Sequence, residues 1–127
     1  MKSGTSVKQR ILVADDDLSI LEAITLILEL DTYLVETVSD AKVQEKVLTF
    51  HPDLILLDIW MSGGDGREIC RTLKEDTKLR SIPIIMISAS KDVEMSAKEA
   101  GADDFIAKPF EMDELLMKVA HHLQKLK

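Results

Sequence analysis

A doubly wound α/β domain is what this chain predicts, on three observations. Five short apolar runs alternate with five helical patterns along 127 residues. The runs are rich in Val, Ile and Leu without strict alternation, as in strands covered on both faces of a parallel sheet. The connections are short, so right-handed crossovers place helices on both faces of a five-stranded parallel sheet of (βα)5 form.

The elements follow in order. Strands are predicted at Ile11–Ala14, Tyr33–Val38, Leu54–Asp58, Ile84–Ser88 and Phe105–Ala107. Leu18–Leu30 carries apolar residues at 20, 21, 24, 27 and 28, the spacing of one helical face, with Asp17 as its N-cap. Ala41–Phe50 offers Val43, Val47 and Leu48, and Gly66–Asp76 offers Ile69 and Leu73. Asp92–Ala100 turns Val93, Ala97 and Ala100 inward and is closed by Gly101, a common residue past a helix end. Glu111–Leu126 sets Met112, Leu115, Leu116, Val119 and Leu123 on one stripe. The expected organisation is one domain over 1–127, with an ordered core at 9–124 and an N-terminal tail at 1–8. The chain stops where its last helix stops, so no attached output domain is expected.

Composition narrows the function. The hydrophobic share is 46% and the charged share 31%, as in a soluble globular domain. A net charge of −7 argues against a nucleic-acid surface, which needs clustered Lys and Arg. Cys70 is the only cysteine, so no disulfide forms within the chain and a reducing, cytoplasmic setting is expected. The start, MKSGTSVKQR, lacks the apolar stretch of a signal peptide, and Glu22, Thr25 and Glu29 break the longest apolar segment, so no membrane span is expected.

One stretch, LILLDIW at 54–60, ends a buried strand in an acid. An ionised carboxylate at the edge of a core is costly unless something pairs with it. In an open parallel sheet, ligands bind beyond the carboxyl ends of the strands, near the point where strand order reverses. Asp15, Asp16 and Asp17 follow the first strand, Asp58 ends the third, Ser88 ends the fourth and Lys108 follows the fifth. Singly, most have bland readings: helix caps, a turn serine, a surface lysine. Asp58 does not. Converging carboxylates repel one another and raise at least one pKa. A divalent cation relieves that repulsion, and an oxygen-only set suits Mg²⁺. Zinc is not indicated, because His51 stands alone beside Pro52 and adjacent His121 and His122 are not expected to face each other.

From Ile11 to about Leu123 the chain resembles the receiver domain of bacterial two-component response regulators. The resemblance rests on ILVADDD, DLILLDIWMSGGDG, PIIMISAS and GADDFIAKPF, in family order and spacing. It implies a flavodoxin-like fold and a signalling switch rather than a metabolic enzyme. It makes Asp58 the phosphoacceptor, and Asp15 and Asp16 the acidic pair that holds Mg²⁺ (or Mn²⁺), one of them through water. Asp58 and the Trp60 backbone carbonyl complete the protein ligands. Lys108 contacts the phosphoryl oxygens, with a cis peptide to Pro109, and backbone N–H groups near Trp60 and Ala89 complete the clamp. Ser88 is the switch hydroxyl and Phe105 the switch aromatic. The implied partners are a histidine kinase or phosphotransfer domain, docking near Ser19 and Ile20, and a downstream effector or attached output domain. Activation shifts the surface of helix four, strand five and helix five.

The chain departs from the family pattern in places. Ser62 stands where Pro is common, and Gly63 and Gly64 make the loop more flexible. Phe105 replaces the more frequent Tyr and lacks its hydroxyl. Trp60 is bulkier than usual, and its indole is expected to limit water access to an acyl phosphate. The last helix offers only Lys118 for the basic dimer contacts of the DNA-binding branch, which argues against a truncated transcription factor and against direct nucleic-acid contact. Two rivals stay in view. An aspartyl phosphohydrolase needs a second Asp two residues after Asp58, where Trp60 stands. A receiver-like interaction module acting without phosphorylation does not explain why Asp15, Asp16, Asp58, Ser88 and Lys108 occur together.

Overall fold

The computed structural model describes residues 8–40, 42–61 and 63–124. Strands β1 (Arg10–Ala14), β2 (Leu34–Val38), β3 (Leu54–Asp58), β4 (Ile84–Ser88) and β5 (Asp104–Ala107) form one sheet. Helices α1 (Leu18–Leu30), α2 (Val43–Phe50), α3 (Gly66–Glu75), α4 (Glu94–Glu99) and α5 (Met112–Gln124) alternate with them. All neighbouring pairs in the sheet are parallel, in the order β2-β1-β3-β4-β5. The predicted doubly wound (βα)5 architecture is the one observed.

Two cores flank the sheet. Ile11, Val13, Leu54, Leu56, Ile85 and Ile106 point to the side of α1 and α5, where Ile24, Leu28, Leu115 and Val119 meet them. Leu12, Ile55, Leu57, Met86 and Phe105 point to the side of α2, α3 and α4, against Val47, Leu73 and Ala97. Every residue of β3 and β4 is buried. This central pair sets the level at which the functional edge lies.

Several local features explain the boundaries. Asp17 caps α1, its Oδ1 accepting from the N–H groups of Ser19 and Ile20 at 2.9 and 3.3 Å. Gly101 takes φ 105° just past α4, a conformation a Cβ would strain. Asp103 holds the start of β4: its Oδ2 accepts from Ile84 N and Lys74 Nζ, both at 2.8 Å. Cys70 is fully buried, and burial pushes its thiol up to about 11, as a structural cysteine requires.

The structure corrects five expectations. β2 is not covered on both faces: it is an edge strand in which Leu34, Glu36 and Thr37 are exposed, because only β1 pairs with it. Leu48 is exposed, and α2 buries Phe50 with Val43 and Val47 instead. Met112 opens α5 at 50% exposure, before the helix meets the core, so the inward stripe begins at Leu115. The fourth helix is divided, with a 3₁₀ turn at Lys91–Val93 ahead of α4. His121 and His122 do meet, edge to face at 5.1 Å, because buried His122 turns to Asp104 and exposed His121 lies across its ring. Ala41, Ser62, residues 1–7 of the expected tail at 1–8 and the end of the predicted last helix at 125–126 lie outside the described residues.

At the β3–α3 junction the chain doubles back so tightly that residue 66 must lack a side chain. A Cβ there would collide with the Asp58 carbonyl oxygen and come within 3.0 Å of Ile59 Cα. Since backbone cannot yield as a flexible side chain can, Gly66→Ala should lower unfolding free energy by about 1–3 kcal/mol. Denaturant titration of the variant against the parent chain checks this, and an unchanged midpoint would refute it.

Candidate functional site

The parallel register gathers the polar strand ends. Ala14 pairs with Leu57, Asp58 with Ile87 and Ser88 with Ala107, so Asp15 and Asp58 emerge at one level, Ser88 one residue beyond it and Lys108 two. Backbone bonds continue the ladder one step further: Asp15 N to the Val38 carbonyl, Ile59 N to that of Ile87, and Lys108 N to that of Ser88. β1 lies between β2 and β3, so the carboxylates of Asp15 and Asp58 sit at the topological switch point.

Oxygen atoms of Asp15, Asp16 and Asp58 all lie within 4.8 Å of one another. Asp15 and Asp58 are buried, whereas Asp16 is exposed, so the cluster opens to solvent on one side. Asp15 is held by two donors, Asp17 N at 2.9 Å to Oδ1 and Lys108 Nζ at 2.9 Å to Oδ2. The same ammonium donates to Asp58 Oδ1 at 3.4 Å. Lys108 therefore bridges the two buried carboxylates, and the peptide bond that follows it, to Pro109, is cis.

The electrostatics follow from this crowding. Burial, then the charge of Asp15, pushes the Asp58 carboxyl up, and the charge of Lys108 only partly offsets them, leaving a pKa of about 6. Burial works against the Lys108 ammonium, but its hydrogen bond to Asp15 and the charge of Asp58 prevail, and its pKa lies above the ordinary value. Asp58 is thus a desolvated acid that still ionises at neutral pH.

The other expected site residues are close by in the fold. Ser88 is fully buried, and its Oγ accepts from Ser90 N at 3.1 Å. Ala89 follows it, exposed. The Phe105 ring is buried on the α3–α4 side of the sheet, with Met86, Ala97 and Ala100 in the same cluster. Trp60 is 52% exposed.

Sequence reasoning missed a small antiparallel ladder directly after Asp58, in which Trp60–Met61 pair with Gly64–Asp65. The Gly63-Gly64 pair before a capping Asp65 was the available signal. Gly66 N donates to the Ile59 carbonyl at 2.7 Å, tying the start of α3 to the residue after Asp58.

The family model described as the response regulator receiver domain matches residues 11–120. The chain belongs to the response regulator receiver family. It is 36% identical over 123 residues to the DNA-binding response regulator MtrA of Mycobacterium bovis, covering 94% of this chain and 53% of that protein. The chain thus spans about half the length of this curated relative. A putative response regulator from Chloroflexus aurantiacus superposes with a TM-score of 0.89 at 27% identity, covering 93% of this chain and 99% of that one. A CheY-like receiver domain protein from Methanospirillum hungatei superposes at 0.86 with 30% identity, covering 94% and 96%. The receiver resemblance and flavodoxin-like fold are therefore established. The expectation of no nucleic-acid contact does not carry to whole relatives, since MtrA is named as DNA-binding. Among the described residues, no helix is long and apolar enough to cross a membrane.

The raised Asp58 pKa gives a signed stability prediction. The folded value, about 6, exceeds the ordinary 3.8, so the folded state binds the proton more tightly. This group's penalty is complete above pH 6 and disappears as pH falls through about 6 toward 3.8. In chelator-containing buffer at neutral pH, Asp58→Asn should therefore be more stable than the parent by up to about 3 kcal/mol. The gain should shrink progressively on acidification. Urea denaturation across that pH range measures it, and a pH-independent difference would refute it.

Proposed function

We propose that the chain is a phosphorylation-activated signalling switch that accepts a phosphoryl group on Asp58. The observation that carries this reading is the desolvated Asp58 carboxylate, set among Asp15 and Asp16 and bridged to Asp15 by Lys108. The donor is a phosphohistidine on a histidine kinase or phosphotransfer domain. An Asp58 oxygen attacks phosphorus, an O–P bond forms as the histidine N–P bond breaks, and the imidazole leaves with the bonding pair. Asp58 must be ionised to attack, and with a pKa of about 6 it is so at cytoplasmic pH.

Mg²⁺, with Mn²⁺ as a substitute, fits this donor set. Three carboxylates within 4.8 Å offer only oxygen, and the exposed Asp16 side leaves space for water ligands. Asp15, Asp16, Asp58 and the Trp60 carbonyl would hold the ion, with Asp15 or Asp16 contributing through water. When bound, it neutralises the clustered carboxylates and the phosphoryl oxygens. Lys108 supplies a fixed positive charge to the transferred group. Ser88 accepts from Ser90 through its oxygen, which leaves the hydroxyl proton to be donated to a phosphoryl oxygen. Backbone N–H groups at Trp60 and Ala89 complete the clamp.

Phosphorylation biases an existing equilibrium between two arrangements of α4, β5 and α5, with Ser88 and Phe105 as the link. That surface serves a downstream effector or an output domain joined to the receiver, the latter supported by the greater length of its DNA-binding relative. The setting is cytoplasmic, where the kinase's phosphohistidine is presented. A contact-only module leaves the bridged acidic cluster unexplained.

Intact mass after incubation with Mg²⁺ and acetyl phosphate tests the reading. One added phosphoryl group is expected on the parent chain and none on Asp58→Ala. No adduct from acetyl phosphate or from a phosphohistidine donor would overturn it. The decay of that adduct tests the indole: Trp60→Ala should shorten its lifetime severalfold, and an unchanged or longer lifetime would remove the water-shielding role.

A further inference from the structure

The mechanism above makes no use of Arg67, yet this side chain has the densest set of contacts near the site. It lies in the first turn of α3, where a cation opposes the helix dipole and needs compensation. Asp65 provides it: Nε donates to Oδ1 at 3.0 Å and Nη2 to Oδ2 at 2.6 Å, a two-pronged pair. The hydrogen bond from Arg67 holds the Asp65 carboxyl below its ordinary range. The third nitrogen, Nη1, donates to Ser96 Oγ on α4 at 3.0 Å, and Ser96 in turn donates to the Val93 carbonyl at 2.9 Å. The guanidinium carbon lies 4.8 Å from the centre of the Trp60 ring, in cation–π range. One planar group thus touches the loop after Asp58, the cap of α3 and the middle of α4.

We propose that Arg67 is a positioning residue that couples the phosphoacceptor loop to α4, by a route separate from Ser88 and Phe105. The inference rests on the receiver function proposed above and adds a second path of transmission. Trp60 stands two residues beyond Asp58, on a ladder whose next residue, Met61, is buried. A backbone shift at Trp60 when Asp58 is modified moves the indole against Arg67. Arg67 cannot follow without disturbing Ser96, because its fork is fixed by Asp65. Lysine would keep the charge but lose both the fork and the planar stack.

The test uses the full chain, with Ser96→Ala cutting the α4 end and Arg67→Lys cutting the fork. Trp60 is the only tryptophan, so intrinsic fluorescence belongs to it alone. In the unphosphorylated protein, Arg67→Lys should make Trp60 markedly more accessible to acrylamide, and unchanged quenching would overturn the stacking role. After acetyl phosphate and Mg²⁺, with one phosphoryl group verified by mass, amide exchange across residues 94–99 should change in the parent chain. That change should fall by half or more in both variants although each is phosphorylated. Phosphorylated variants that keep the parental change in α4 exchange overturn the coupling while leaving the receiver reading intact. No adduct on the parent chain overturns both. Loss of thermal stability alone would not move the phosphorylation-dependent difference, which separates coupling from simple packing.

Discussion

Three carboxylates drawn to one edge of a parallel sheet repel one another, and the surrounding structure is organised around containing that repulsion. Strands running in one direction deliver their polar ends to the same rim, so the convergence is a consequence of topology. Lys108 is held between Asp15 and Asp58 by the β4–β5 pairing, through its N–H to the Ser88 carbonyl. Even so, it offsets only part of the cost, and Asp58 remains a weakened acid. The stability that permits this comes from the fully buried strands beneath, β3 above all, whose last residue is Asp58 itself.

The phosphoryl transfer proposed for this site draws on the same repulsion. A buried carboxylate that already lacks full solvation loses little more on meeting an electrophile, and its neighbours favour any partner that brings positive charge. Gly66 permits the close return of the chain behind Asp58, and Asp65 turns that return into the start of α3. The Asp58 carboxylate is thereby held by an ammonium, while its main-chain carbonyl lies against the returning chain at Gly66.

Much of this was legible in the sequence because it depends on local rules. β3 and β4 were bounded correctly, since continuous apolar runs ending in Asp58 and Ser88 leave little choice. Asp17 as cap and Gly101 as terminator follow from short-range chemistry and were read correctly. Asp15, Asp16, Asp58, Ser88 and Lys108 could be grouped because each follows or ends a predicted strand, and parallel strands bring those ends to one edge. What escaped depended on contacts distant in sequence. The exposure of β2 is a fact about which strand ends the sheet, and its apolar residues resemble those of any other strand. Leu48 and Met112 are apolar on helices but lie where no neighbour arrives. The contact of His121 with His122 requires knowing that Asp104 draws one ring inward. Arg67 reads as a surface charge until Ser96, twenty-nine positions away, is placed beside it.

Cys70 has a practical consequence for the study of this domain. On the buried face of α3, with its thiol pushed up to about 11, it carries almost no thiolate at neutral pH and is closed to reagents in water. The chain is therefore its own silent background for thiol labelling. A single cysteine introduced at an exposed position, such as Met95 on α4, would take a dye or spin label alone, with every core residue left native.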